Sequence, residues 1–223
     1  MKLWKLTNQK HQTHGGCQWG ENVTHTASGE GDLCGPGWVH AYTDPLLAVL
    51  LNPIHADISN PVLWECEGEV GKSNHGLKVG CTTLTTLRQV SLPVISDEQH
   101  IRFGIGCAAT ACSAPTWRTW AANWLDGTDR SEAAAQAAAW SAWPTWAALA
   151  AGWAALAAGW AAEAAAWAAQ AAARGGWSAW GGWSAVEIDI DLVGIAHWAM
   201  DVTLTDLPAV VKAASAAGGG RNE

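Results

Sequence analysis

Three groups of residues in this chain have the types and spacing that chemistry asks for. His40 alternates with Trp38 and Tyr42, which puts all three on one face of an extended strand, beside Asp44 and after the glycine-rich run 28–37. An imidazole titrates near neutral pH, so His40 between two aromatics describes a small-molecule pocket with one base. The plainer reading is a structural histidine in a packed strand. Glu65, Glu67 and Glu69 recur at every second position and form a row of carboxylates that could hold a cation or supply a general base. A solvated outer face explains the same row, because carboxylates are seldom buried without a partner. His11, His14 and Cys17 fall three apart, with His25, Cys34 and His40 downstream. Zinc takes such ligands, but there is no Cys-x-x-Cys knuckle and the spacing is irregular, so no metal or other cofactor is assigned. The glycines of 28–37 precede a strand, not a helix, and match neither a dinucleotide fingerprint nor a phosphate loop.

These residues need a scaffold, and the period of the sequence supplies one. Residues 1–95 read as β-rich. Leu3 to Leu6 opens as a strand, 7–16 is a polar turn, and Trp38 to Tyr42 is a second strand. Asp44-Pro45 then caps a short helix that Asn52-Pro53 ends. Val62 to Val70 alternates, with Trp64 and Cys66 on one face and the glutamates on the other, and 77–92 adds one or two strands. After Pro93 the apolar spacing becomes helical. Ser96 to Gln99 is a capping box, and Ile101, Ile105, Ala108 and Cys112 follow at helical spacing. Trp117, Trp120, Ala121 and Trp124 make a further apolar face closed by Asp126-Gly127, and Asp129 with Glu132 predicts the next cap.

The rest of the chain is alanine, interrupted by tryptophan with a period of seven at Trp146, Trp153, Trp160 and Trp167. Seven residues are nearly two helical turns, so these indoles share one face along roughly 31 Å of axis. Leu149 and Leu156 follow the first two at a three-residue offset, and Glu163 and Gln170 replace them later. Burying an indole removes about 150–250 Å² from water, at most about 4–6 kcal/mol each, so the stripe is expected to be covered. Trp146, Leu149, Trp153, Leu156, Trp160 and Trp167 are the interaction residues. The partner is either the segment 186–200, folded back as a helix on the spacing of Ile188, Leu192, Ile195 and Ala199, or the same helix of a second chain. Pro144 interrupts the helix and Gly175-Gly176 ends it.

The expected fold class is α+β. A β-rich domain spans 1–95 and a helical connector packing on it spans 96–142. An alanine- and tryptophan-rich coil or hairpin follows over 143–217, with a disordered tail over 218–223. A net charge of −8 and a pI near 5.4 argue against nucleic acid as a partner. The six cysteines all lie in the first half and Met1 to Lys5 runs straight into polar sequence, so free thiols in a reducing cytoplasm are expected. Alanine, glycine and tryptophan insert poorly into bilayers and Glu163 interrupts the run, so no membrane span is expected. Membrane-surface association is disfavoured by the scarcity of Lys and Arg near the tryptophans.

The run Leu33-Cys34-Gly35-Pro36-Gly37-Trp38-Val39-His40-Ala41-Tyr42 resembles an uncharacterised domain family of phages and prophages. In that family a Pro-led helix comes next, then a strand similar to Leu63 to Gly68. The segments 84–93 and 124–131 are similar to it as well, the latter leading into an alanine-rich repeat. The resemblance covers roughly residues 1–135 and implies a phage or prophage accessory protein, with no activity attached. At the repeat positions this chain has Trp where Tyr or Arg is expected. The heptad then points to a protein that works by binding and self-association. The alternative is a nucleotide-binding enzyme: the Glu65-x-Glu67 strand is similar to that of ADP-ribosyltransferases, which would place a pocket near His40, Tyr42, Glu65 and Glu67.

Overall fold

The computed structural model describes residues 1–112, 114–141, 161–173 and 190–207. The chain divides into two compact units, Met1–Val94 and Ile95–Glu223. A five-stranded antiparallel sheet forms the first and helices the second, an α+β architecture.

The first unit runs β1 (Lys2–Thr7), β2 (Val23–Thr26), β3 (Val39–Ala41), α1 (Pro45–Leu50), α2 (Asn52–His55), β4 (Val62–Ser73) and β5 (Val79–Val90). β4 pairs with β1 along one edge and with β5 along the other. The free edge of β5 takes β3 at Val79 to Cys81 and β2 at Thr83 to Thr86. Trp4 and Tyr42 then exchange backbone hydrogen bonds of 2.9 and 2.8 Å, which returns β1 to the residue just past β3. The strands β1, β4, β5 and β3 therefore close a ring. Register shifts in β4, between Glu65 and Cys66 and again between Glu69 and Lys72, give it the bend that closure needs. The core holds Leu3, Ala41, Val62, Trp64, Cys66, Val79, Cys81 and Leu84, and the excursion 8–19 brings in Trp19.

Gly68 lies where the ladder is tightest, since a Cβ there would come 2.5 Å from Thr83 O. Trp38 lies over Gly71 and Gly80, with 2.6 Å between its Cζ3 and a Cβ built on Gly71. Asp44 caps α1 by accepting from Leu46 N at 2.8 Å. α1 ends just before Asn52-Pro53, as read, and the same pair begins α2, because a proline in a first turn withholds an N–H that would be unpaired anyway. β2 was not expected from its sequence, where only four residues alternate weakly between half-buried and exposed.

The second unit runs α3 (Asp97–Ala111), α4 (Pro115–Asp126), α5 (Glu132–Ser141), α6 (Ala161–Ala173) and α7 (Leu192–Met200). The capping box forms as read: Gln99 N donates to Ser96 Oγ at 3.3 Å and Ser96 N to Gln99 Oε1 at 2.8 Å. Gly127, with φ at 80°, ends α4. The expected Asp129 cap shifts by two residues: Asp129 accepts from Ser131 N, and Ser131 Oγ accepts from Ala134 N at 3.3 Å. Of the helix read over 186–200, residues 186–189 lie outside the described residues; α7 begins at Leu192, capped by Asp191, which accepts from Gly194 N at 2.8 Å.

α3 is the axis of this unit, with α6 and α7 both packed on it. Gly104 and Gly106 make that approach possible. A Cβ at Gly104 would lie 3.3 Å from Ala165 Cα, and one at Gly106 2.6 Å from Ile195 Cγ2 and 3.1 Å from Trp198 Cζ3. Arg102, fully buried, donates to Asp201 O at 3.0 Å and Leu204 O at 2.6 Å and lies 4.6 Å from the Trp198 ring, fastening the turn after α7 to α3.

One heptad indole of the alanine helix, Trp167, lies among the described residues. Ala165, Ala166, Ala168, Ala169 and Ala172 are buried, whereas Trp167 is 50% exposed. Among the described residues, α3 packs against α6. Alanine against glycine lets two backbones approach to a distance that an indole would prevent. Trp146, Leu149, Trp153, Leu156 and Trp160 lie outside the described residues, as do Pro144, Gly175-Gly176 and the tail. No helix among the described residues is long and apolar enough to cross a membrane.

Replacing Gly106 with alanine is expected to destabilise the helical unit by about 1–2 kcal/mol, because the new methyl group strikes a β-branched side chain. Chemical denaturation followed by circular dichroism measures this. A gain of about 1 kcal/mol, the ordinary helix-propensity benefit, would show instead that Ile195 and Trp198 give way freely.

Candidate functional site

In β1 the residues alternate between two environments. Lys2, Trp4 and Leu6 share the outer face, while Leu3, Lys5 and Thr7 face inward opposite Cys66, Trp64 and Val62. A lysine therefore enters the closed sheet. Lys5 is 7% exposed, donates to His40 O at 2.8 Å, and holds its Nζ 4.5 Å from the centre of the Trp19 ring. Burial lowers its pKa from 10.5 to about 8, and the neighbouring thiols of Cys66, Cys17 and Cys81 pull in the opposite direction. Burial pushes Cys66 up to about 12 and Cys81 to about 11. All six cysteines are free thiols.

Trp19 links this lysine to a second group. Its Nε1 donates to Thr13 Oγ1 at 3.1 Å, and its ring packs against the His25 imidazole at 4.4 Å. His25 Nε2 lies 2.8 Å from Gln18 O, so that nitrogen carries the proton. Cys17 Sγ sits 3.6 Å from Nε2 and 3.8 Å from Nδ1 of the same ring. A thiol, an imidazole held by a carbonyl, an indole and a buried ammonium thus lie in continuous contact.

The residues nominated from the sequence fall elsewhere. His40 is half-buried, its Nε2 is bonded to Leu33 O, and burial lowers its pKa. Tyr42 is buried, with its hydroxyl 3.4 Å from His55 Nδ1, and burial raises its pKa. Tyr42, Trp4, Glu65 and Arg88 stand in one row across the sheet, so Tyr42 and Glu65 share the outer face with Trp4 between them. Glu65 gives one carboxylate oxygen to Lys2 at 3.1 Å and the other to Arg88 at 2.6 Å. The Lys2 hydrogen bond, more than Arg88, holds this carboxyl below its usual range. Glu67 is exposed, opposite Lys2 and Thr85 in the ladder. Neither His40, tied to the 28–37 loop, nor Glu65, tied to two cations, is placed as a free base.

The His11, His14 and Cys17 set is not brought together either. His11 packs edge-on against Trp64 at 5.2 Å, His14 lies in a short helical turn, and Cys17 turns to His25. Among the described residues no group of three or more His, Cys, Asp or Glu side chains converges as a metal ion requires.

Lys5 went unread because β1 is apolar on both sides. Trp4 and Leu6 compete with Leu3 for the inward face, so alternation alone does not orient the strand. No protein-family model, no curated protein and no solved structure matches this chain. The site is read from its own chemistry.

The Lys5 ammonium has a measurable signature. The folded chain binds that proton with a pKa of about 8, the unfolded chain with 10.5, so the unfolded state holds more protons between those values and stability rises with pH across them. Above pH 9 the buried thiols act oppositely, because unfolded thiols ionise first, and they do so more strongly in a Lys5→Met variant, which lacks the cation that lowers Cys66 and Cys81. The stability advantage of Lys5→Met over wild type should therefore shrink by about 2 kcal/mol between pH 7.5 and 10, as read by denaturant titration. A difference independent of pH would place the ammonium in water.

Proposed function

We propose that this protein is a binding module that self-associates through the outward face of its alanine helix, with the chain itself as the partner. The supporting observation is Trp167, half exposed on α6 while the alanines around it are buried. An indole left in water forgoes most of the stabilisation that burying it would give, and its neighbours on α6 already have their cover in α3. The sequence repeats this residue at Trp160, Trp153 and Trp146, the heptad positions in register with Trp167.

A second copy fits this face better than a charged partner. Within 161–173 the only charged residue is Glu163, so nothing there selects an opposite charge. An uncharged face can be self-complementary about a two-fold axis, the commonest arrangement of oligomers. The resemblance of 33–42, 63–68 and 124–131 to a phage and prophage family supports an accessory role in the cytoplasm of a bacterial host. The enzymatic alternative loses ground because the Glu65 carboxylate is engaged by Lys2 and Arg88.

Light scattering on the purified full chain should give a dimer or larger species at tens of micromolar. Trp167→Glu should shift it toward monomer without loss of helical circular dichroism. A wild type that stays monomeric over that range would end this reading.

A further inference from the structure

The helical unit presents an exposed indole on α6, and elsewhere it holds a groove that an indole would suit. α4 and α5 leave between them a groove of about 440 Å³, lined by Thr116, Thr119, Trp120 and Asn123 on the first helix and by Ala134 and Ala137 on the second. The four α4 positions recur at helical spacing and share one face. The alanines opposite keep the groove open, because a methyl group leaves room that a longer side chain would fill. Trp167 of the same chain is not among the residues that line it.

The chemistry of the walls says what the groove would take. Trp120 is 5% exposed, and its Nε1–H is buried without an acceptor. A buried donor left unpaired costs stability until something accepts from it. Asn123, half-buried, adds an amide oxygen. No charged residue lines the groove, so an ion entering it would leave water without a counter-charge. An indole meets these conditions. Its π face accepts weakly from an N–H, its own N–H can donate to the Asn123 amide, and its body packs on alanine.

Charge narrows the source of that indole. The chain carries a net charge of −8, so two copies repel one another except where charge is missing. The groove is one such place. The stretch 161–173, with Glu163 as its single charge, is another.

We propose that the groove between α4 and α5 is the seat for Trp167 of a second copy, so that two chains exchange indoles about a two-fold axis. This rests on the self-association proposed above and names the surface that receives the exposed face of α6. Each copy gives one Trp167 and receives the other, so the contact is made twice and closes. α6 then lies in the partner's two-helix cleft with a single aromatic anchor.

Light scattering on the full chain, at concentrations where the wild type associates, reads the effect of filling the seat. Ala137→Trp puts an indole of the chain's own into the groove, and Thr119→Arg puts a charge there. Both positions are exposed, so both variants should keep the wild-type helical circular dichroism. Each should weaken association at least about tenfold, as Trp167→Glu does. If either folded variant associates like the wild type while Trp167→Glu is monomeric, self-association through α6 stands and the groove is overturned as its seat. A monomeric wild type overturns both. Photocrosslinking decides the matter should both groove variants fail to fold. In a mixture of heavy-isotope and unlabelled chains, Trp167→p-benzoylphenylalanine should link one copy to residues 115–123 or 134–138 of the other. Links confined to 161–173 would overturn the seat.

Discussion

The pair of backbone hydrogen bonds between Trp4 and Tyr42 decides what the first unit can be. Without it, β1 is the edge of an open sheet and its inward residues face whatever lies below. With it, the sheet has an interior, and the side chains on one face of every strand are withdrawn from water together. Leu3, Trp64 and Cys66 gain from that enclosure, while Lys5, on the same face of the same strand, is carried in with them. The depressed lysine, the raised thiols and the indole stacked on the ammonium all follow from one topological fact.

The second unit solves its packing problem by removing side chains. Gly104 and Gly106 on α3, and five buried alanines on α6, bring helices into backbone proximity. Tryptophan works at the periphery of that contact: Trp198 covers the Arg102 guanidinium, Trp124 stacks under Arg130 at 4.5 Å, and Trp167 faces outward. On α4, by contrast, Trp117 and Trp120 are buried against one another, 5.9 Å between ring centres.

Local chemistry was legible in the sequence, and enclosure was not. The Asp44 cap, the capping box at Ser96, the split of Trp64 and Cys66 from the glutamates, and the apolar face of α4 each depend on residues within a few positions of one another, so composition and spacing suffice. Sheet closure joins Trp4 to Tyr42 across 38 positions, and no local pattern signals it. The inward turn of Lys5 depends on that closure, which is why attention fell on His40 and Glu65, whose outer-face partners are an ordinary carbonyl and two cations. The packing of the alanine helix was hard to read for a different reason. Hydrophobic area ranks tryptophan first, but close helix packing rewards the smallest side chain, and glycine on α3 tips the balance toward alanine.

The alanine seam between α3 and α6 has a thermal consequence. Alanine has no rotamers to freeze, so docking this helix costs little side-chain entropy. It also withdraws little apolar area from water, so its contribution to the heat capacity of unfolding is small. The hold of α6 on α3 should therefore vary less between cold and warm conditions than the tryptophan-rich packing of α4, leaving Trp167 presented at nearly the same angle across that range.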